Sequence, residues 1–198
     1  MRSKIFGGKT MRKNRIKCMG GTYRVDSFTL NHQQCFVAEP MKMVIQEIFE
    51  KAIQRYNCHI LASTITPTSI HLVISTEVED ELADISVIMQ YIKSQITIEF
   101  NRMHGRRGTI WGERFHSVLL LTRSHIRNAI QLTHVRIPFE EGHPEKYGYS
   151  TLGFYQGKNH TLFAYRFVWK EFLRMKLDQG IVCYRDDLQR TKQKRHRR

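Results

Sequence analysis

Ser69 and His71 are the residues whose types and spacing come nearest to chemistry in this chain. They stand two apart in Ser69-Ile70-His71-Leu72-Val73-Ile74-Ser75, a run with the β-branched content of a strand. Residues two apart in a strand share a face, so Ser69 and His71 point one way while Ile70 and Leu72 point the other. An imidazole so placed can move a proton or hold a metal ion. It can equally be a histidine on the open side of a half-covered sheet. Other candidates are weaker. Cys18, Cys35, Cys58 and Cys183 lie far apart with no Cys-x-x-Cys, which is neither a zinc framework nor a disulfide scaffold. Reduced cysteines in a cytoplasmic protein are the expectation. His59, His104, His116 and His125 show no ligand spacing among themselves. The acidic run from Glu77 to Asp84 has no histidine beside it and reads as a helix start, where the dipole favours acids.

Several elements must position that strand. Cys58 to Ile65 is a second strand-like run, and Pro67 turns it back as a hairpin. Thr22 to Leu30, rich in aromatic and β-branched residues, reads as the first strand. Glu39-Pro40 opens a helix, with proline in the first turn where its missing N–H costs nothing. Met41, Val44, Ile45, Ile48, Phe49, Ala52, Ile53 and Tyr56 form its apolar stripe. A second helix, from about Ile85 to Met103, buries Ile85, Ile88, Met89, Ile92, Ile96 and Phe100 and leaves Tyr91, Val87 and Ile98 off the stripe. A strand follows through Ser117 to Leu121. Ser124 then caps a helix with Ile126, Ala129 and Ile130 inward. Another helix is expected around Tyr165 to Lys176.

The order strand, helix, strand, strand, helix, strand predicts an α+β fold, a ferredoxin-like antiparallel sheet with helices on one face. Ser69 and His71 are then expected on the open face, available to a ligand. The chain divides into a basic arm (1–20), the main domain (21–155), a C-terminal helical extension (156–189) and a basic tail (190–198).

Charge narrows the partner. The formal net charge of the 198 residues is +14, and 41% hydrophobic residues can supply a core. Such a surplus implies a polyanion. No apolar run is long enough to span a bilayer and no basic amphipathic helix stands out, which favours nucleic acid over membrane. Arg12, Lys13 and Arg15 lie in an arm with no acidic residue before Asp26. Arg102, Arg106 and Arg107 sit in a glycine-punctuated loop, and Arg114 follows Trp111. Arginine neutralises phosphates, and a ring such as Trp111 can stack on an unpaired base or anchor its loop in the core.

The hairpin also carries a resemblance. A Pro followed by His-hydrophobic-His and Leu-Val is similar to the metal-binding strand of HUH single-tyrosine transposases, nearest to the REP-associated and IS200-like branches. Asn101-Arg102, Gly108-Thr109-Ile110-Trp111 and Glu113-Arg114-Phe115 resemble a second block of that family, with Gly112 in place of its usual Gln. Pro144-Glu145-Lys146-Tyr147-Gly148-Tyr149-Ser150 resembles a third. The resemblance implies a cation held by two histidines beside a tyrosine nucleophile, and single strands or short hairpins as substrates. Here Ser69 replaces the first histidine, leaving His71 as the one retained ligand. Counting on from Arg114-Phe115 puts Leu132 at the tyrosine position and Arg136 where some relatives complete the metal site. Leucine has no nucleophilic atom, and an arginine repels a cation.

The resemblance therefore implies a transposase-like protein that binds single-stranded or hairpin DNA, or structured RNA, and has lost cleavage, with no catalytic residue, metal or cofactor. One rival is an active enzyme using Mg2+ or Mn2+ and another tyrosine. Tyr91, in Tyr91-Ile92-Lys93-Ser94-Gln95, is its candidate, although that helix precedes the Trp block instead of following it. A third reading is an adaptor that joins a nucleic acid to a protein partner.

Overall fold

The computed structural model describes Cys18 and residues 20–76, 84–136 and 147–155. The basic arm with Arg12, Lys13 and Arg15, most of the acidic run, the helix expected around 165–176 and the basic tail lie outside the described residues. Strand β1 (Thr22–Phe28) is followed by a short 3-10 turn (Leu30–His32) and helix α1 (Glu39–Tyr56). The hairpin is β2 (Cys58–Thr66) and β3 (Ser69–Thr76); α2 (Ile85–His104), β4 (His116–Leu120), α3 (Arg123–Val135) and a final turn, α4 (Leu152–Tyr155), complete the order.

The four strands form one antiparallel sheet in the order β2-β3-β1-β4, the α+β arrangement expected. Its register fixes the faces. Val25 lies opposite Leu72 and Tyr23 opposite Ile74, and this apolar face joins Met41, Ile45, Phe49, Ile88 and Ile92 in a single core whose members are nearly all shut from solvent. Each such side chain contributes about 1.5–3 kcal/mol when fully buried. α1 packs on α2 and on β2. Asp84 caps α2 by accepting the Ser86 N–H, and Gly105, with φ 59°, ends it in the left-handed conformation that glycine takes without strain.

The opposite face is not open. α3 packs on β2 and β3 and touches β1 and β4 less. Ser69 is 3% and His71 2% exposed. The expectation of a free ligand face therefore fails at these two residues, because a third helix lies over them. That helix begins two residues earlier than a cap at Ser124 would put it. Its cap is Thr122, whose hydroxyl accepts the His125 N–H at 3.1 Å.

The outer edge of β2 is covered in turn by residues 149–151. Ile65 donates to the Tyr149 carbonyl and Thr151 to the Ser63 carbonyl. Tyr147 donates its hydroxyl to the Ile65 carbonyl, and Lys42 lies over the rings of Tyr147 and Tyr149.

Candidate functional site

The face under α3 is built from directly opposed residues. Asp26 on β1 lies opposite His71 on β3, and His71 lies opposite Thr64 on β2. Opposed residues share a face, so β1 supplies Arg24, Asp26 and Phe28 where β3 supplies Ser69 and His71. The result is a chain of hydrogen bonds. Asp26 Oδ1 is 2.7 Å from His71 Nδ1, His71 Nε2 is 2.8 Å from Ser69 Oγ, and Ser69 Oγ is 2.6 Å from Thr66 Oγ1. The Phe28 ring meets the imidazole edge-on.

Protonation follows from the surroundings. Burial holds His71 below its ordinary value, against the opposing pull of Asp26, and Arg136 and Arg24 push it lower still. Burial would raise Asp26, but the His71 hydrogen bond and the charges of His71, Arg136 and Arg24 together bring it below the usual carboxylate range. A neutral imidazole then donates from Nδ1 to an ionised Asp26 and accepts at Nε2 from the Ser69 hydroxyl.

This connectivity is that of a hydrolytic Ser–His–Asp triad. Such a serine must meet its substrate, and Ser69 is buried with its oxygen already shared by Thr66 and His71. The chain ties β1, β3 and the β2–β3 turn together. A divalent cation does not fit it either. Both nitrogens of His71 are engaged and two guanidinium groups act on the same spot. Among the described residues no group of three His, Cys, Asp or Glu side chains could hold a metal ion.

No described tyrosine donates into the chain. Tyr91 lies on α2, edge-on to Tyr56 and with Arg55 5.3 Å from its ring centre, on the helix layer and away from His71. Tyr23, Tyr147, Tyr149 and Tyr155 spend their hydroxyls on Cys18, Ile65, Glu39 and Leu61. Leu132 is half-buried on α3.

The second candidate region is the loop after α2. Asn101 donates to the Gly108 carbonyl at 2.8 Å and closes it. Arg107 and Arg114 are exposed, without an ion pair among the described residues. Arg102 is spent on Glu99 through two bonds, and Arg106 is half-buried, its guanidinium 5.5 Å from the Phe100 ring centre. Trp111 is 7% exposed and its indole N–H donates to the Lys93 carbonyl and to Thr97 Oγ1, each at 3.0 Å. It bridges to Thr29 and packs on Phe36, so it anchors α2 to the end of β1 and offers no ring for stacking. Phe115 is 8% exposed. Gly112 is also explained, since a Cβ there would stand 3.2 Å from the Thr29 carbonyl oxygen and 3.3 Å from Leu30 Cα.

Sequence reasoning missed Asp26. The alternation of Arg24, Asp26 and Phe28 places all three on one face of β1, but which strand lies beside them depends on pairing. Two further residues were also out of reach, His134 and Thr151. His134 is fully buried, and its Nε2 lies 2.8 Å from Thr151 Oγ1.

Comparison with known proteins gives a consistent picture. The family model described as "Transposase IS200 like" matches residues 20–126. Among solved structures, a REP-associated tyrosine transposase bound to a REP hairpin aligns with a TM-score of 0.62 at 16% identity, covering 80% of this chain and 92% of that one. That likeness is one of fold. A chain from Deinococcus radiodurans R1, named as a candidate transposase, aligns with a TM-score of 0.41 at 17% identity over 67% of this chain and 98% of that one, too loosely to argue from. No curated protein matches.

Proposed function

The chain belongs to the IS200-like transposase family, and from that premise we propose that it binds single-stranded or hairpin DNA and no longer cuts it. The observation that carries this reading is His71 with both ring nitrogens engaged, beside a serine in place of the partner histidine. A metal-assisted transfer needs a Lewis acid with free coordination positions and a nucleophile in line with the phosphorus. Here the ligand is closed and the nucleophile position is Leu132. The family match itself ends before that residue.

Binding is supported by the charge of +14, by the exposed Arg107 and Arg114, and by the half-exposed Arg106. The solved structure of similar fold was bound to a REP hairpin, which makes a hairpin with a single-stranded flank the substrate to try first. Among the described residues no helix is long and apolar enough to cross a membrane. A polyanion met in the cytoplasm remains the partner proposed.

The test is a denaturing gel of end-labelled hairpin DNA incubated with the full chain and Mg2+ or Mn2+. A retarded complex on a native gel, with no shortened strand and no covalent protein–DNA band on the denaturing one, is expected. Site-specific nicking with a covalent band would refute the reading. It would then point to a tyrosine beyond the described residues, and the same gel on Tyr165→Phe and Tyr184→Phe would locate it.

A further inference from the structure

The residues around Asp26 and His71 reject a cation, and the same residues favour an anion. Arg24 and Asp26 share the α3-side face of β1, with Val73 and Val118 opposite Arg24 and with His71 and His116 opposite Asp26. Arg24 Nε stands 3.5 Å from Asp26 Oδ2, is shut from solvent and makes no hydrogen bond among the described residues. Arg136 follows directly at the C-terminal end of α3, and its charge reaches both Asp26 and His71.

Each arginine has an ordinary structural use. Arg24 pairs with a carboxylate, and Arg136 sits where a helix dipole favours a cation. Those uses leave the charges unbalanced. Among the described residues the charges of two guanidiniums act on one carboxylate, and the imidazole bonded to it is neutral. One oxygen of Asp26 is taken by His71 and the other is shared with Arg24 at a long distance. Each guanidinium carries five N–H donors in a planar fork suited to a phosphate. Both side chains are half-exposed, so the donors lie at the border of the sheet and α3 where a ligand can reach them.

We propose that Arg24 and Arg136 form a phosphodiester-binding site on the α3 side of β1, where the family's strand would hold a cation, and that it grips a single strand without cutting it. The charge that a divalent ion would supply to the phosphate is supplied by the protein. A single strand is favoured over a duplex because both arginines are only partly exposed, one on the sheet and one at the end of the helix packed on it. This inference rests on the nucleic-acid reading above and assigns part of the binding to residues outside the loop after α2.

The test is fluorescence anisotropy with the full chain and a labelled single-stranded oligonucleotide, made once as DNA and once as RNA, over about 50 to 200 mM salt. Arg24→Gln/Arg136→Gln is expected to bind roughly tenfold more weakly, with the slope of log affinity against log salt reduced by about 1.4 for two lost single-strand contacts. Arg24→Lys/Arg136→Lys is expected to keep most of the slope. Arg136→Gln alone leaves the Asp26–His71 bond untouched and gives about half the effect, which covers the case of a double variant that does not fold. Loss with either backbone supports the site. A folded double-glutamine variant with wild-type affinity and slope overturns it while the nucleic-acid reading stands. A wild-type chain that binds neither oligonucleotide sinks that reading as well. Affinity raised by Mn2+ at constant ionic strength also overturns the site, because a cation would then be its ligand.

Discussion

Two stretches of this chain resemble the same family and treat their polar groups in opposite ways. Around His71 the polar side chains are answered from within, from Thr66 through Ser69 and His71 to Asp26, under a helix that keeps water out. In the loop after α2 the apolar residues are the hidden ones. Trp111 and Phe115 are buried, while Arg107 and Arg114 face outward. A buried hydroxyl or imidazole without a partner costs about 1–3 kcal/mol, so a site that loses its metal must close its hydrogen bonds internally or be replaced. An exposed arginine meets no such demand and can stay as it is. The difference teaches that a buried polar group stays only where the interior supplies its partners, whereas an exposed charge makes no such demand.

The largest effect expected from this contrast lies in the loop, at the buried ring of Trp111. Trp111→Ala removes an anchor that spends its N–H on α2 and packs on Phe36, and should cost about 3–5 kcal/mol of unfolding free energy. Urea denaturation followed by circular dichroism measures it. If Trp111 were instead a stacking platform, the variant would keep its stability and lose only its affinity for single strands. That result would erase the distinction between a hidden scaffold and an exposed grip.

The next effect belongs to the interior and depends on pH. Burial lowers both His71 and His134, the latter to about 3, from an ordinary value of 6.5. A histidine whose pKa is lower folded than unfolded opposes protonation in the native state, so stability is lost as pH falls below 6.5 and the loss is complete near the folded value. Asp26 is also lowered and adds a loss of the same sign below about 3.8. The unfolding free energy should therefore be level above pH 6.5 and fall from there toward pH 3, by several kcal/mol in all. His134→Gln should be less stable at pH 7 but show a shallower decline. A slope identical to that of the wild type would mean that His134 is not held neutral by burial.

How much of this was legible beforehand depended on whether the signal was local. α1 was readable to its ends because an apolar stripe at helical spacing and Pro40 both lie within its own eighteen residues. The cap of α3 was misplaced because Thr122 and Ser124 are both hydroxyl residues and composition does not choose between them. The hairpin and the faces of Ser69 and His71 followed from alternation. Their burial did not, since it is α3, fifty residues later in the chain, that covers them. Asp26 escaped for the same reason: its role exists only once β1 lies beside β3 in one register. Trp111 could be read as anchor or platform until Lys93 and Thr97 were seen to take its N–H. Leu132 and Arg136, by contrast, were assigned by counting along a family pattern, which requires no knowledge of the fold.

The smallest effect on stability should come from the exposed arginines of the loop, to which binding is proposed. Arg107 and Arg114 touch no acidic side chain among the described residues and cover no core. Arg107→Gln/Arg114→Gln should leave the unfolding free energy within about 0.5 kcal/mol of the wild type. The same variant should bind a labelled hairpin more weakly at low salt and lower the salt slope by about one for each arginine that meets a phosphate. Because phosphate contacts carry no sequence information, the loss should be the same for a scrambled hairpin. A sequence-dependent loss would show that these arginines read bases, and a loss of stability would show that the loop is bound into the interior as firmly as the His71 strand. Either result would remove the contrast between the two regions, which rests on the charges of the loop being free to leave water for a polyanion while the groups from Thr66 to Asp26 are spent on one another.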